Sequence, residues 1–219
     1  MYQWHVLTIG HLSRNKFWGE DEKQSYRMPL CTCTLLQGNG LNILIDPSLP
    51  GEEMAEALFN NSGLRPEDIQ YTYSTHFHYD HQVDLKTFPN AICCMPRVDL
   101  EELRANFAMI SGIWTALTRE QADRLVPAED HLAPGLTMVP LPGHTEGLHG
   151  YLFDAPEGRV ICTGDSVMTQ EFYRAGECYF FGWNMERAVA SIRSLRGKAD
   201  IIVPGHGQAF LEKAYARQD

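Results

Sequence analysis

The segment 75–82 reads THFHYDHQ and sets His76, His78, Asp80 and His81 within one short stretch of chain. The whole protein has nine histidines in 219 residues, so three of them beside a carboxylate is a concentration that a polar loop has no need of. Imidazole and carboxylate are the side chains that bind divalent cations such as zinc. His76 and His78 lie two apart on an extended segment, so both can reach one cation. Asp80 and His81 fall where the chain is expected to enter a helix, and there they point elsewhere.

Working outward from that stretch, short apolar runs recur and end in turn residues. They are VLTIG at 6–10, TCTLLQG at 32–38, LNILIDP at 41–47, IQYTYST at 69–75, AICCMP at 91–96, LTMVPLPG at 136–143, GYLFD at 150–154, RVICTGD at 159–165 and DIIVPG at 200–205. Their lengths suit buried or half-buried strands. Four of them deliver a cation-competent side chain just past their last apolar residues: His76, His144, Asp165 and His206. Glycine beside three of these permits a sharp turn. If the strands share an edge, the four residues meet there. Five imidazoles and two carboxylates are too many for one tetrahedral zinc with an open position. They suit two metals with three ligands each and a bridging carboxylate.

Asn39-Gly40 between two runs signals a tight hairpin, making the early strands antiparallel. Helical periodicity spans 52–62, with Met54, Ala55, Leu58 and Phe59 on one face and Gly63 as the stop, and 186–195, with Ala188, Val189, Ile192 and Leu195. Between 98 and 114 the residues Leu100, Leu103, Phe107, Ile110 and Trp114 form an amphipathic stripe. Thr118 with Gln121 three residues on has the spacing of a capping box. Strand clusters separated by helices predict a layered α/β fold, in one domain spanning 1–219 with a helical insertion at about 98–126.

The net charge is −10 and the pI about 5.3, a balance that disfavours general binding to nucleic acid or to anionic membranes. The start MYQWHVLTIGH lacks the basic head and long apolar run of a signal peptide, and no apolar stretch approaches a membrane span. A cytoplasmic location is therefore expected. The cysteines at 31, 33, 93, 94, 162 and 178 read as small buried hydrophobes in a reducing compartment.

His-x-His-x-Asp-His followed by a later His, Asp and His resembles the metallo-β-lactamase superfamily, in order from Asp46 to His206. The resemblance implies a four-layer αββα sandwich of two mixed β-sheets flanked by helices, with the site at one edge of the sheets. It implies that His76, His78 and His144 hold one metal, that Asp80, His81 and His206 hold a second, and that Asp165 bridges them. Asp46 would stand behind the ligands and fix an imidazole tautomer. The implied cofactors are two zinc ions, with iron or manganese as substitutes. True β-lactamases of the dinuclear class have cysteine where Asp165 stands, and this chain is more similar to acyl-homoserine lactonases and related hydrolases. Those lactonases place a catalytic tyrosine where this chain has Met168, and Tyr173 is the candidate replacement.

The expected reaction is attack by a metal-bridging hydroxide on a small ester, thioester or lactone, with Asp80 and Asp165 as catalytic groups. A persulfide-dioxygenase-like oxidoreductase with one iron, or a phosphodiesterase of the same superfamily, is the alternative. Trp114, Met168, Phe172 and Tyr173 are the candidate substrate wall, within aromatic segments that also include Tyr179, Phe180, Phe181 and Trp183. The expected partner is a small molecule, and the stripe at 100–114 is a candidate dimer face.

Overall fold

The computed structural model describes residues 1–179 and 181–215. Its first sheet begins with an antiparallel meander of β1 (Gln3–Thr8), β2 (Cys33–Gly38) and β3 (Leu41–Ile45). Asn39 and Gly40 carry φ of 53° and 75°, the pair of left-handed residues that a two-residue hairpin turn requires. β4 (Tyr71–Tyr73), β5 (Ile92–Met95) and β6 (Val126–Pro127) then add in parallel, giving the order β1-β2-β3-β4-β5-β6.

The second sheet is built from the remaining strands, β7 (Leu136–Pro140), β8 (His149–Ala155), β9 (Gly158–Cys162), β10 (Ile201–Val203) and β11 (Phe210–Leu211), in the order β11-β10-β9-β8-β7. β9 and β10 are parallel and the other pairs antiparallel.

Strand side chains alternate between faces, and that alternation makes the layers. Leu36, Ile43, Ile45 and Tyr73 of the first sheet meet Tyr151, Phe153, Val160 and Val203 of the second in one buried cluster. The opposite face of the first sheet offers Cys33, Leu35 and Leu44 to Met54 and Leu58 of α1 (Gly51–Ser62). The opposite face of the second offers Val139, Ile161 and Ile202 to Ile192 of a later helix, Met185–Ser194. The result is the expected αββα sandwich. Each fully buried Leu, Ile or Phe contributes about 1.5–3 kcal/mol over its exposed state.

Between β5 and β6 the chain forms α2 (Arg97–Ala105), α3 (Phe107–Ile110) and α4 (Arg119–Arg124). The remaining helices are α5 (Gln170–Ala175), α6 (Met185–Ser194) and α7 (Glu212–Tyr215). The stripe at 98–114 is thus not one helix. The backbone breaks at Asn106 (φ −110°, ψ 16°) and leaves the helix at Ser111, so Leu100 and Leu103 enter the core while Trp114 is left 39% exposed. Phe59 of α1 faces solvent rather than the core. No helix begins at Asp80 and His81; the chain turns there, with His81 N donating to His78 O at 3.1 Å. Among the described residues no helix is long and apolar enough to cross a membrane.

Candidate metal centre

Four chain segments leave their strands at the same edge of the sandwich. The segment after β4 continues to His76, and its Thr75 carbonyl accepts His149 N of the second sheet at 3.1 Å. β9 runs into Asp165 and β10 into His206. These parallel neighbours stay joined past their ends, because Gly205 N donates to Gly164 O (3.1 Å) and Val167 O (2.9 Å). A side chain at 205 would place its Cβ 2.3 Å from Asp165 Oδ1, so only glycine lets β10 end against that carboxylate. His144 follows β7 and is held by the entry to α6, where Trp183 N donates to His144 O at 2.9 Å.

The sequence-predicted ligand candidates all arrive at this edge. His144 Nε2 lies 2.9 Å from His78 Nδ1 and 3.2 Å from Asp165 Oδ2, with His76 Nε2 at 4.0 Å from that same oxygen. On the other side of the carboxylate, His81 Nε2 and His206 Nε2 stand 2.9 and 3.1 Å from Asp165 Oδ1, and His206 Nε2 is 3.6 Å from Asp80 Oδ2. The cation-binding atoms of His76, His78, His144 and Asp165 lie within 4.8 Å of one another, as do those of Asp80, His81 and His206.

Neighbouring acceptors aim two of the rings. His206 Nδ1 donates to Leu30 O at 2.8 Å, which leaves Nε2 free to face the centre. His81 Nδ1 donates to Asp46 Oδ2 at 3.0 Å. Asp46 itself sits just past β3 at φ 52°, a strained turn that brings its oxygens onto Thr75 N (2.7 Å) and Thr75 Oγ1 (2.9 Å). Asp46 is therefore placed where a carboxylate fixes a tautomer. Cys31, Asp46 and His81 form a third close group. There, however, His81 turns its donor nitrogen inward, and burial pushes the Cys31 thiol far up, so it stays protonated.

The donor set fits divalent cations. His76 Nε2, His81 Nε2 and Asp165 Oδ1 are buried without a hydrogen-bond partner; the close approach of the last two lacks hydrogen-bond direction. Each such orphan costs about 1–3 kcal/mol, and a cation between them removes that cost. Three of the five imidazoles are held neutral. Burial, aided by neighbouring imidazoles, holds His76, His78 and His144 below their ordinary pKa, with lone pairs available. Burial also opposes charge on His81 and His206. There the carboxylates around them outweigh it, Asp165 and Asp46 for the first and Asp165 and Asp80 for the second, so a cation displaces a proton from each of these two rings. Against its own burial, the histidines keep Asp165 ionised.

The centre opens into a cavity of about 700 Å³. Trp114 lines it, stacked on His78 with ring centroids 5.2 Å apart. Met168, Phe172 and Tyr173 do not reach it. Met168 and Phe172 pack with Leu12 and Tyr179 in a buried cluster, because α5 turns its apolar face inward. Tyr173 is in the core and its hydroxyl donates to Glu212 Oε1 at 2.7 Å; it offers no group to the cavity. Phe180 lies outside the described residues. Two parts of the wall carried no expectation from sequence. Tyr79, inside the histidine motif, lines the cavity, and so do Arg14 and Met28 from the segment between β1 and β2. That segment is fixed by the Arg27–Glu20 ion pair and by Arg27 donating to Leu12 O at 3.0 Å.

Residues 27–206 match the family model of the metallo-beta-lactamase superfamily. The chain is 28% identical over 165 residues to an N-acyl homoserine lactonase of Bacillus thuringiensis, and the match covers 74% of this chain but 64% of that relative's length. A probable metal-dependent hydrolase from Staphylococcus aureus superposes with a TM-score of 0.74 at 18% identity, covering 94% of this chain and 89% of that one. An N-acyl homoserine lactone hydrolase solved with N-hexanoyl-L-homoserine at its catalytic metal centre superposes with a TM-score of 0.68 at 20% identity, covering 94% and 92%. At these identities the structural likeness is one of fold.

Proposed function

The chain belongs to the metallo-beta-lactamase superfamily, and from that premise we propose that it is a metal-dependent hydrolase of small carboxylic esters, thioesters or lactones bearing an apolar acyl chain. The observation that carries this reading is the meeting of five imidazoles and two carboxylates at one edge of the sandwich, with His78, His144, His206, Asp80 and Asp165 of that group lining a largely apolar cavity. His76, His78 and His144 would hold one divalent cation and Asp80, His81 and His206 a second, with Asp165 between them; zinc suits these ligands, and iron or manganese are accepted by the same set. Such a pair, when bound, makes hydroxide available at neutral pH.

The chain's own groups do the rest. Asp80 faces the cavity beside His206 and can orient the attacking water and take its proton. Tyr79 has no hydrogen-bond partner among the described residues. Burial first, then Asp80 and Asp165, push its phenol up to about 12. It therefore remains a donor at neutral pH, suited to the carbonyl or leaving oxygen of a substrate. Trp114, Phe181, Met28 and Leu12 give the wall an apolar surface, which strengthens acyl-chain binding by about 0.8 kcal/mol per buried CH₂. The named activity of the Bacillus relative and the acyl-homoserine product in the solved hydrolase support a lactone or ester over a phosphodiester. The net charge of −10 supports the same choice.

Metal analysis together with a substrate panel tests the proposal. Two zinc ions per chain and lactone or ester turnover that rises with acyl length are expected. One iron per chain with oxygen uptake, or good RNA cleavage with every ester and lactone untouched, would overturn it.

A further inference from the structure

Asp99 lies outside the candidate ligand set, yet its carboxylate is buried and fully engaged. It stands in the first turn of α2. Its Oδ2 accepts Thr145 Oγ1 at 2.8 Å and its Oδ1 accepts Gly147 N at 2.7 Å, while Phe77 packs against the cluster that contains Leu100 and Leu103 of the same helix. Phe77 directly precedes His78, and Thr145 directly follows His144. These are the two histidines whose facing nitrogens stand 2.9 Å apart. The fit is tight, since a Cβ at Gly147 would lie 2.4 Å from Asp99 Oδ1.

We propose that Asp99 is a positioning residue for the His78–His144 half of the metal centre. From α2, against which Phe77 of the loop after β4 packs, it pins the loop after β7 of the other sheet, and so holds the two imidazoles at a spacing that one cation can bridge. Asp46 performs the corresponding task for His81. Removing the carboxylate leaves the Thr145 hydroxyl and the Gly147 amide without their acceptor and frees the loop after β7 from α2. The inference rests on the metal-dependent reading above, because the positioning is toward a cation.

The test compares Asp99→Asn, Asp99→Ala, Thr145→Val and Thr145→Ser with the unaltered protein. Zinc affinity is measured by competition with a chromophoric chelator, and the site geometry by visible absorption of cobalt(II)-loaded protein. The unaltered protein is expected to take two cations. In the Asp99 variants one of the two should bind about tenfold more weakly, with an altered cobalt spectrum, while the other is unchanged. Thr145→Val should move the same way by less, and Thr145→Ser should restore the original values. A purely structural role would lower the melting temperature without weakening one cation selectively.

Unchanged affinities and spectra in both the Asp99 variants and Thr145→Val, or equal weakening of both cations, would overturn the inference and leave the hydrolase reading standing. Failure of the unaltered protein to bind any divalent cation would overturn the two together. Should the Asp99 variants not fold, the Thr145 pair decides the question by the same measurements.

Discussion

Tyr79 stands between two candidate ligands in the chain, yet its phenol bonds to none of the described residues and lines the cavity. Tyr79→Phe keeps the ring and removes the donor. Lactone or ester turnover is expected to fall about 100-fold, with KM moving far less; equal steady-state rates for the two proteins would take the phenol out of the chemistry. Asp99 carries a second prediction. Burial pushes its carboxyl up to about 7 from an ordinary 3.8, and the Thr145 and Gly147 donors only partly oppose it. Between those values the folded protein holds more protons than the unfolded one. The contribution of Asp99 to stability is therefore full below about pH 4 and is lost as pH rises through about 7. Urea unfolding of metal-free protein should show the gap between the unaltered protein and Asp99→Asn shrinking over that range and then levelling; a constant gap would refute it. The histidines were legible because they crowd into one motif or follow strand ends. Tyr79 and Asp99 were not, because each acts through space: Asp99 reaches partners 46 and 48 positions away in the chain. The wall was half legible for a related reason. Sequence placed Trp114 and Phe172 near the metal-bearing strands, but only packing decides that the first faces the cavity and the second the core.

At the scale of elements, local chemistry was read most surely where both of its partners lie within one turn. Thr118 Oγ1 accepts Gln121 N at 3.3 Å and Gln121 Oε1 accepts Thr118 N at 2.9 Å, the reciprocal pair that the spacing predicts. Gln121 then reaches on to Asp84 Oδ1 at 2.8 Å, tying α4 to the segment that follows the histidine motif. Thr118→Ala should cost about 1 kcal/mol of unfolding free energy, seen in urea titrations as a lower midpoint with an unchanged slope. The strands were legible wherever a short apolar run ends in turn residues, as in IQYTYST around β4 and DIIVPG around β10. β6 and β11, of two residues each, exist only because a neighbouring strand is there to pair with, and nothing local marks them. The stripe at 98–114 misled for the opposite reason. Its spacing is helical throughout, but Asn106 breaks the backbone, and the second part turns toward the cavity instead of continuing along the sheet.

For the whole molecule, the crowd of buried imidazoles and carboxylates ties stability to the cation. With the cations stripped, the orphaned atoms of His76, His81 and Asp165 remain buried and unpaired. Dialysis against a chelator should lower the melting temperature, and added zinc should restore it through a stabilisation that grows with its concentration, about 2.7 kcal/mol of unfolding free energy at 100 times Kd. A melting temperature indifferent to chelator would argue against any resident metal. The division of the chain between the sheets carries this further. Residues 1–127 build one sheet and residues 136–211 the other. His76, His78, Asp80 and His81 belong to the first half, His144, Asp165 and His206 to the second. The centre is thus a conjunction that neither half satisfies alone. Severed at the exposed Glu129 and Asp130, the protein becomes two fragments, each with an incomplete claim on the cation, and zinc uptake becomes a signal that they have found one another. Two proteins fused to those fragments would report their own encounter as tight metal binding, a split reporter whose readout is an ion.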